Sequence, residues 1–229
     1  MRSARAVIIY LSLFRRLRRL AAVGLLLLLA GASGAAAVDG AAGSGDGRRL
    51  LVLGDSISAA YGLSLEEGWV ALAEAALADR GLAVKVINAS ISGETSAGGR
   101  RRLPALLETH EPDAVVIELG GNDGLRGYPV AQLRENLAAM AEAAQASGAR
   151  VLLLPMEIPP NYGPRYTGAF RDSFPRVAEA TGAGLGPFPL EAVATDPALM
   201  QPDGIHPTAA AQPRIVETLL PALEAVLRP

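Results

Sequence analysis

Two distant segments of this chain of 229 residues carry three side chains that could cooperate in nucleophilic catalysis. Ser56 ends an apolar run with the letters LLVLGDS, and Asp203 and His206 lie in the later segment DGIHP. A serine nucleophile needs a base within hydrogen-bond reach and a third group that orients the base. Since the chain has only two histidines, His206 has one rival, His110. The pattern therefore predicts a serine hydrolase.

The position of Ser56 at the end of a predicted strand adds to this hypothesis. Backbone N–H groups at the start of a helix stabilise a developing oxyanion. The alternative is that Asp55 and Ser56 only cap a helix, since both residue types are good N-caps. His206 precedes Pro207, which favours an extended or turn geometry and could bring Asp203 to the imidazole. His110 lies just before a predicted strand and is interpreted as a surface or strand-entry residue.

Two further segments offer donors to an oxyanion. Asn122 lies in the segment GGNDG after a predicted strand, and its side-chain amide could donate a hydrogen bond. Gly93 lies in the segment SGET after another predicted strand, where its backbone N–H could do the same. Asn and Gly are also ordinary turn residues. Several such segments at strand ends are harder to explain by turn chemistry than one would be.

The hydrophobic pattern predicts the elements that position these residues. Short apolar runs alternate with longer amphipathic segments, which favours crossover units and a parallel sheet. We expect one three-layer α/β domain, with the loop Pro155–Tyr166 at the functional edge of the sheet. The predicted strands are Arg49–Leu53, Val84–Asn88, Ala114–Leu119 and Val151–Leu154, and the predicted helices are Glu67–Arg80, Pro129–Ser147 and Pro213–Leu227.

Composition excludes some classes of protein. The absence of cysteine excludes disulfides, thiolate metal sites and a cysteine nucleophile. Residues 1–37 hold six arginines and no acidic residue, which leaves the remainder with 15 basic and 23 acidic residues. This acidic balance argues against a nucleic-acid partner.

The first 37 residues have the order of a secretory signal peptide. Arginines precede the apolar stretch Leu20–Ala30, and small residues follow up to Ala37. We therefore expect a signal peptide at 1–37, a flexible linker at 38–48 and a hydrolase domain at 49–229. The expected location is the periplasm or the exterior, with no membrane span after cleavage. An uncleaved membrane anchor is the alternative.

These motifs together resemble the SGNH (GDSL-type) hydrolase superfamily, whose four blocks centre on Ser, Gly, Asn and His. Here these residues are Ser56, Gly93, Asn122 and His206, in that order. The segments GDSISAAYG, LGGNDGLRG, PNYGPRY and DGIHP resemble the branch of periplasmic thioesterase I/lysophospholipases and arylesterases. The likeness covers residues 49–229. The chain has no Gly-x-Ser-x-Gly elbow near a strand end, which argues against the α/β-hydrolase fold.

The resemblance implies a flavodoxin-like SGNH fold and an esterase or thioesterase that needs no cofactor or metal. It implies a triad of Ser56, His206 and Asp203, and an oxyanion hole from the Ser56 and Gly93 N–H groups and the Asn122 amide. The substrate would be a small acyl or aryl ester. Further candidates for substrate contact are Asp55, Asp123, Tyr162 and Arg165.

Three alternatives remain open from the sequence. A carbohydrate O-deacetylase would use the same chemistry and belongs to the same superfamily. A non-catalytic carrier of lipids or acyl chains would use the apolar composition. A metal-dependent hydrolase would need ligands that two distant histidines do not readily supply. The sequence determines neither the acyl-chain length nor the oligomeric state.

Overall fold

The computed structural model describes residues 47–228, and the predicted signal peptide and most of the predicted linker lie outside this range. A parallel sheet of five strands forms the centre, in the order β2-β1-β3-β4-β5. β1 begins one residue earlier than its predicted strand. The strands are β1 Arg48–Gly54, β2 Val84–Asn88, β3 Ala114–Glu118, β4 Arg150–Leu153 and β5 Gly184–Leu185.

Seven α-helices accompany the sheet within residues 47–228. Their bounds are α1 Trp69–Asp79, α2 Ser96–His110, α3 Gly121–Leu125, α4 Val130–Ala146, α5 Pro164–Arg171, α6 Ser173–Thr181 and α7 Gln212–Leu227. Short 3₁₀ turns cover Leu65–Glu67, Pro160–Tyr162, Pro197–Leu199 and Ala209–Ala211.

The strand order places the helices in two layers. The chain moves from β1 to β2 in one direction and then from β2 past β1 to β3 in the other. Since crossovers between parallel strands are right-handed, α1 and α2 lie on opposite faces of the sheet. α7 packs on α1, whereas α4 packs on both α2 and α6. The predicted three-layer α/β fold is therefore confirmed.

The apolar runs form the core as the sequence predicts. β3 is buried along its whole length, and β1 is buried from Leu50 onward. β2 differs from the prediction of a strand buried on both faces, because it is the edge strand and exposes Lys85 and Asn88. The helices predicted from amphipathic spacing correspond to α1, α4 and α7, with bounds that differ by at most two residues.

Five helices and strands were not predicted: α2, α3, α5, α6 and the two-residue strand β5. The segment Pro155–Tyr166 was predicted to be a loop, but its end is helical because α5 begins at Pro164. His110 is the last residue of α2, so it lies in a helix that precedes β3 rather than at the strand entry.

The strand order also fixes where a site can form. β1 and β3 are neighbours, but the chain leaves their carboxyl ends toward opposite faces of the sheet. Such a switch point opens a crevice at the carboxyl edge, where ligands of parallel α/β folds bind. Ser56 follows β1, and Asn122 follows β3, at this switch point.

Candidate active site

The end of β1 presents Ser56 at the carboxyl edge of the sheet. The strand ends at Gly54, where a Cβ would come within 2.7 Å of both the Glu118 carboxylate and the Ser58 hydroxyl. A larger residue would therefore push the strand end away from these groups. The chain then turns, with the Ala59 N–H donating to the Asp55 carbonyl at 2.9 Å. This turn leaves the Ser56 side chain facing the crevice, where it lines a cavity.

The structure brings Ser56, His206 and Asp203 together in a chain of hydrogen bonds. His206 Nε2 lies 2.9 Å from Ser56 Oγ, across 150 residues of sequence. His206 Nδ1 lies 2.6 Å from Asp203 Oδ2. This order, with the base between the hydroxyl and the carboxylate, is the arrangement that a serine nucleophile requires.

The Asp203 carboxylate is held in its charged form by its own loop. Oδ1 accepts the backbone N–H groups of His206 at 3.0 Å and Ile205 at 2.9 Å, while Oδ2 faces the imidazole. The His206 N–H, then the imidazole, and then the Ile205 N–H lower the pKa of Asp203 to about 2. Asp203 therefore carries its negative charge beside His206 at neutral pH.

Three candidate hydrogen-bond donors belong to residues that line the cavity at Ser56. Among the hydrogen bonds of residues 47–228, the backbone N–H groups of Ser56 and Gly93 donate to no other protein group. Gly93 has a φ of +78°, which suits glycine, and its carbonyl accepts from Arg126 at 3.1 Å. The Asn122 amide nitrogen donates one hydrogen to Asp55 Oδ2 at 3.1 Å and has a second hydrogen available. All three residues line the same cavity as His206.

Asp55 holds both the turn that follows Ser56 and the Asn122 amide by hydrogen bonds. Its Oδ1 accepts from the Ile57 N–H at 3.1 Å, and its Oδ2 accepts from Asn122. Asp55 is 2% exposed. Burial is the main reason why the pKa of Asp55 is raised to about 6, and its hydrogen bonds from Ile57 and Asn122 oppose this rise.

Glu118 at the end of β3 is a second buried acid. Its Oε2 accepts from the Ser58 hydroxyl at 2.6 Å and from the Asp55 N–H at 3.3 Å. Its Oε1 has no hydrogen-bond partner within the described chain, and the residue is completely buried. Burial first, and then the charge of Asp55, raise the pKa of Glu118 well above its usual range.

An apolar cavity of about 620 Å³ adjoins Ser56. This volume is typical of small-molecule sites. Leu125 of α3 and residues 156–160 of the loop after β4 contribute to its wall. Phe188, Leu190 and Ala194 complete the apolar wall from the segment after β5, which the sequence did not indicate.

The candidates for substrate contact occupy different places. Asp55 lines the cavity. Asp123 is buried away from it and accepts from the Ser96 N–H at 2.8 Å and the Ser96 hydroxyl at 2.5 Å, so it anchors the start of α2. Tyr162 donates its hydroxyl to the Leu125 carbonyl at 2.6 Å. Tyr162 and Arg165 line a separate surface depression.

The sequence did not single out Glu118, Tyr61 or Gln201. Glu118 could have been noticed as the one acid in the apolar run of β3. Tyr61 lies within the segment GDSISAAYG and Gln201 shortly before DGIHP, but nothing in their residue types indicates their contacts. Residues 47–228 contain no group of three or more acidic or histidine side chains placed to hold a metal. In the same range, no helix is long and apolar enough to cross a membrane.

Comparison with known proteins identifies the family and related folds. A family model described as "GDSL-like Lipase/Acylhydrolase family" matches residues 52–213. Esterase TesA of Pseudomonas aeruginosa is 58% identical over 178 residues, which cover 78% of this chain and 89% of that protein. A crystal structure of TesA has a TM-score of 0.76 and 57% identity, covering 78% of this chain and 99% of that one.

Two further relatives carry names for related reactions. An arylesterase of Vibrio mimicus is 49% identical over 169 residues, covering 74% of this chain and 84% of that protein. A protein of Escherichia coli K12 named thioesterase 1/protease 1/lysophospholipase L1 is 43% identical over 178 residues. These residues cover 78% of this chain and 84% of that protein.

Proposed function

The chain belongs to the GDSL-like lipase/acylhydrolase family and is an ester hydrolase, and we propose that it forms an acyl-enzyme on Ser56. The observation that carries the proposal is the hydrogen-bond chain from Ser56 Oγ through the His206 imidazole to Asp203, at 2.9 and 2.6 Å. Free N–H donors beside Ser56 supply the second requirement of acyl transfer. The substrates are carboxylic esters, including aryl esters, and thioesters.

Acylation begins with attack of Ser56 Oγ on the carbonyl carbon of the substrate. His206 Nε2 accepts the hydroxyl proton, and Asp203 holds the imidazole by its Nδ1–H and balances the charge that forms. The carbonyl oxygen becomes an oxyanion that accepts from the Ser56 and Gly93 N–H groups and from Asn122. The imidazolium then protonates the departing alcohol or thiol, which leaves an ester on Ser56.

Deacylation repeats these steps with water as the nucleophile. His206 removes a proton from a water molecule, which attacks the acyl carbonyl in the same oxyanion hole. Collapse of the second tetrahedral intermediate returns the proton to Ser56 Oγ and releases the carboxylic acid. The same donors therefore serve both halves of the reaction.

The apolar wall of the cavity supports an acyl or aryl group as the recognised part of the substrate. A sugar would need many hydrogen-bonding partners, whereas the lining is dominated by side chains such as Leu125, Met156 and Phe188. The cavity therefore favours esterase activity over carbohydrate deacetylation. The family and its named esterases also favour an enzyme over a non-catalytic carrier of acyl chains.

Export of the enzyme is part of the proposal. The basic, apolar and small-residue order of residues 1–37 supports a cleaved signal peptide, followed by a linker and the hydrolase domain. Expression of the full chain in a bacterium, followed by fractionation and determination of the mature N-terminus, tests this point. A mature protein that retains residues 1–37 in the cytoplasm would overturn it.

Replacement of the nucleophile tests the proposed chemistry. Ser56→Ala should lower kcat for p-nitrophenyl acyl esters and for an acyl thioester by about 10⁴-fold or more, because the acyl-enzyme cannot form. It should also abolish covalent labelling by a fluorophosphonate. Ser147→Ala is a matched control, since the Ser147 hydroxyl donates only to Ala144 at the end of α4. Hydrolysis that persists in folded Ser56→Ala would refute the proposal.

A further inference from the structure

Gln201 joins the two loops that carry the proposed nucleophile and base. Its side-chain nitrogen donates one hydrogen to the Tyr61 carbonyl at 2.8 Å and the other to the Pro207 carbonyl at 3.0 Å. Tyr61 lies five residues after Ser56, and Pro207 follows His206 directly. One amide group therefore bridges the two segments whose separation sets the distance between Ser56 and His206.

The backbone of Gln201 reinforces this bridge on the base side. Its N–H donates to the His206 carbonyl at 2.7 Å, and its carbonyl accepts from the Gly204 N–H at 2.9 Å. Met200 pairs with Pro207 in an antiparallel bridge. Gln201 and the loop from Met200 to Pro207 therefore form one hydrogen-bonded unit that includes Asp203 and His206.

On the side of Ser56, Tyr61 and Gly62 contact the base loop closely. The Tyr61 ring lies against the His206 imidazole, with ring centroids 4.3 Å apart and planes at 34°. Gly62 follows with a φ of +77°, and a Cβ on it would lie 2.7 Å from Gln201 Oε1. Glycine at this position therefore lets the Gln201 amide approach the Tyr61 carbonyl.

We propose that Gln201 is a positioning residue that fixes His206 against Ser56 by clamping the base loop to the nucleophile loop. This inference rests on the proposed function, because it assigns Gln201 a role in the Ser56–His206 pair. The Asp203–His206 contact does not depend on the clamp, since it is formed within the base loop. Loss of the clamp should therefore move the imidazole and its carboxylate together, away from Ser56.

Gln201→Met tests the clamp, because methionine has a similar length and no N–H donor. We expect kcat to fall by about 10- to 100-fold, since a displacement near 1 Å of a reacting group can cost about 100-fold. KM should stay within about twofold, because the apolar wall is unchanged. The rate of Ser56 labelling by a fluorophosphonate should fall in parallel with kcat. The low-field proton resonance of the Asp203–His206 hydrogen bond should remain.

Gln145→Met is the matched control. Gln145 also donates from its side-chain nitrogen to a backbone carbonyl, that of Thr181, at 3.0 Å between α4 and α6. It lies outside the cavity lining. The kcat of Gln145→Met should stay within twofold of wild type. A fall in kcat in Gln201→Met would then be specific to its position and not a general effect of losing a glutamine hydrogen bond.

Gly62→Ala tests the clamp by a change in the loop that carries Ser56. It keeps Gln201 but places a methyl group against its amide, and we expect a fall in kcat like that of Gln201→Met. Gly81→Ala controls for backbone strain, because Gly81 has a φ of +76° and open space around its position. Both glycine variants should lose similar stability from the positive φ, and only Gly62→Ala should lose kcat.

The outcomes separate the clamp from the proposed function. Wild-type kcat in folded Gln201→Met, or an equal fall in Gln145→Met, would overturn the clamp. A loss in Gln201→Met that appears in KM alone would overturn it as well. Ser56→Ala and His206→Ala test the proposed function independently. If both of these abolish activity while Gln201→Met does not, only the clamp is wrong.

Discussion

The two sides of the active site place their acids in opposite environments. On the nucleophile side, Asp55 and Glu118 lie buried at the ends of β1 and β3, and burial raises the pKa of both. On the base side, Asp203 lies in an exposed loop, and hydrogen bonds lower its pKa to about 2. The nucleophile side is therefore held by the core of the domain, and the base side by local hydrogen bonds and one bridge.

This difference predicts how substitutions on each side should affect stability and reaction rate. Changes on the nucleophile side disturb groups that are packed against the sheet, so they should affect stability together with rate. Changes on the base side disturb an exposed loop, so they should affect rate with little loss of stability. Each of the following variants tests one half of this contrast.

Asp203→Asn should have the largest effect. An amide in place of the carboxylate removes the charge beside His206 and allows an N–H to face Nδ1, which favours the wrong tautomer. We expect kcat to fall by about 10³- to 10⁴-fold, as in other serine triads. The midpoint of urea unfolding at pH 7 should fall only slightly, because solvent screens most of the stabilisation that the lowered pKa of this exposed carboxylate implies.

Asp196→Asn is the matched control for that variant. The Asp196 carboxylate accepts the N–H two residues later, from Ala198 at 3.0 Å, as Asp203 accepts from Ile205. It should leave kcat unchanged. A fall of less than tenfold in Asp203→Asn would mean that the base loop works without its carboxylate.

Asn122→Ala should rank second. It removes one of the proposed oxyanion donors and leaves the Asp55 carboxylate without its amide partner. Loss of one such donor costs about 100- to 1,000-fold in kcat, and KM should change little because the ground-state ester needs this donor less. Asn161→Ala, at an exposed site in the turn Pro160–Tyr162, is the control. An equal loss in kcat and in substrate affinity would contradict a role specific to the transition state.

Asp55→Asn should change the pH dependence of stability. The pKa of Asp55 is about 6 in the folded protein and 3.8 when unperturbed, so folding favours its protonated form. The contribution of Asp55 to the free energy of unfolding is fully present below pH 3.8 and is lost as the pH rises through 6. Between pH 4 and 7, the variant should therefore gain stability relative to wild type, on the order of 1–3 kcal/mol.

Urea unfolding at several pH values between 4 and 7.5 measures this difference. Asp203→Asn is the contrasting control, because the stability from Asp203 is present above pH 3.8 and is lost only as the pH falls through about 2. The difference between that variant and wild type should be flat over the measured range. A flat difference for Asp55→Asn as well would show that the two acids do not differ as described.

Glu118→Gln should have the smallest effect. Burial raises the pKa of Glu118 well above its usual range and so favours its uncharged form, and an uncharged isostere can still accept from Ser58 and the Asp55 N–H. We expect less than about 1 kcal/mol of lost stability and a change in kcat of a fewfold at most. Glu118→Ala should cost about 2–4 kcal/mol, because it leaves two buried donors unpaired. Equal losses in the two variants would indicate that the charge of Glu118 matters at neutral pH.

The sequence predicted the fold where burial and pattern agree. The apolar runs of β1, β3 and β4 and the spacing of apolar residues in α1, α4 and α7 were sufficient to predict a three-layer α/β fold. α2 was missed because Gly98, Gly99 and Pro104 contradict a helix by local propensity. The fold requires at least one of them, since a Cβ on Gly99 would collide with Leu119. Such contacts between distant residues cannot be inferred from one segment.

The site was predictable to the extent that chemistry restricts residue types. Ser56, His206, Asp203, Gly93 and Asn122 were identified by motif. The structure brings four of them to one cavity, and Asp203 contacts His206 from outside its lining. Asp123 was expected near the substrate, but its distance from Asn122 in sequence is no guide, because successive helical side chains point in different directions. The bond from Gln201 to Tyr61 spans 140 residues, so no local pattern could indicate it.

The separation of 150 residues between Ser56 and His206 also has a consequence for a chain during synthesis. A growing polypeptide can pair β1 with β2 and β3 long before the base loop has left the ribosome. Such a chain holds the proposed nucleophile and oxyanion donors but lacks the proposed base. Hydrolytic activity should therefore begin only after the base loop has emerged, and a product terminated before His206 should be inert toward esters.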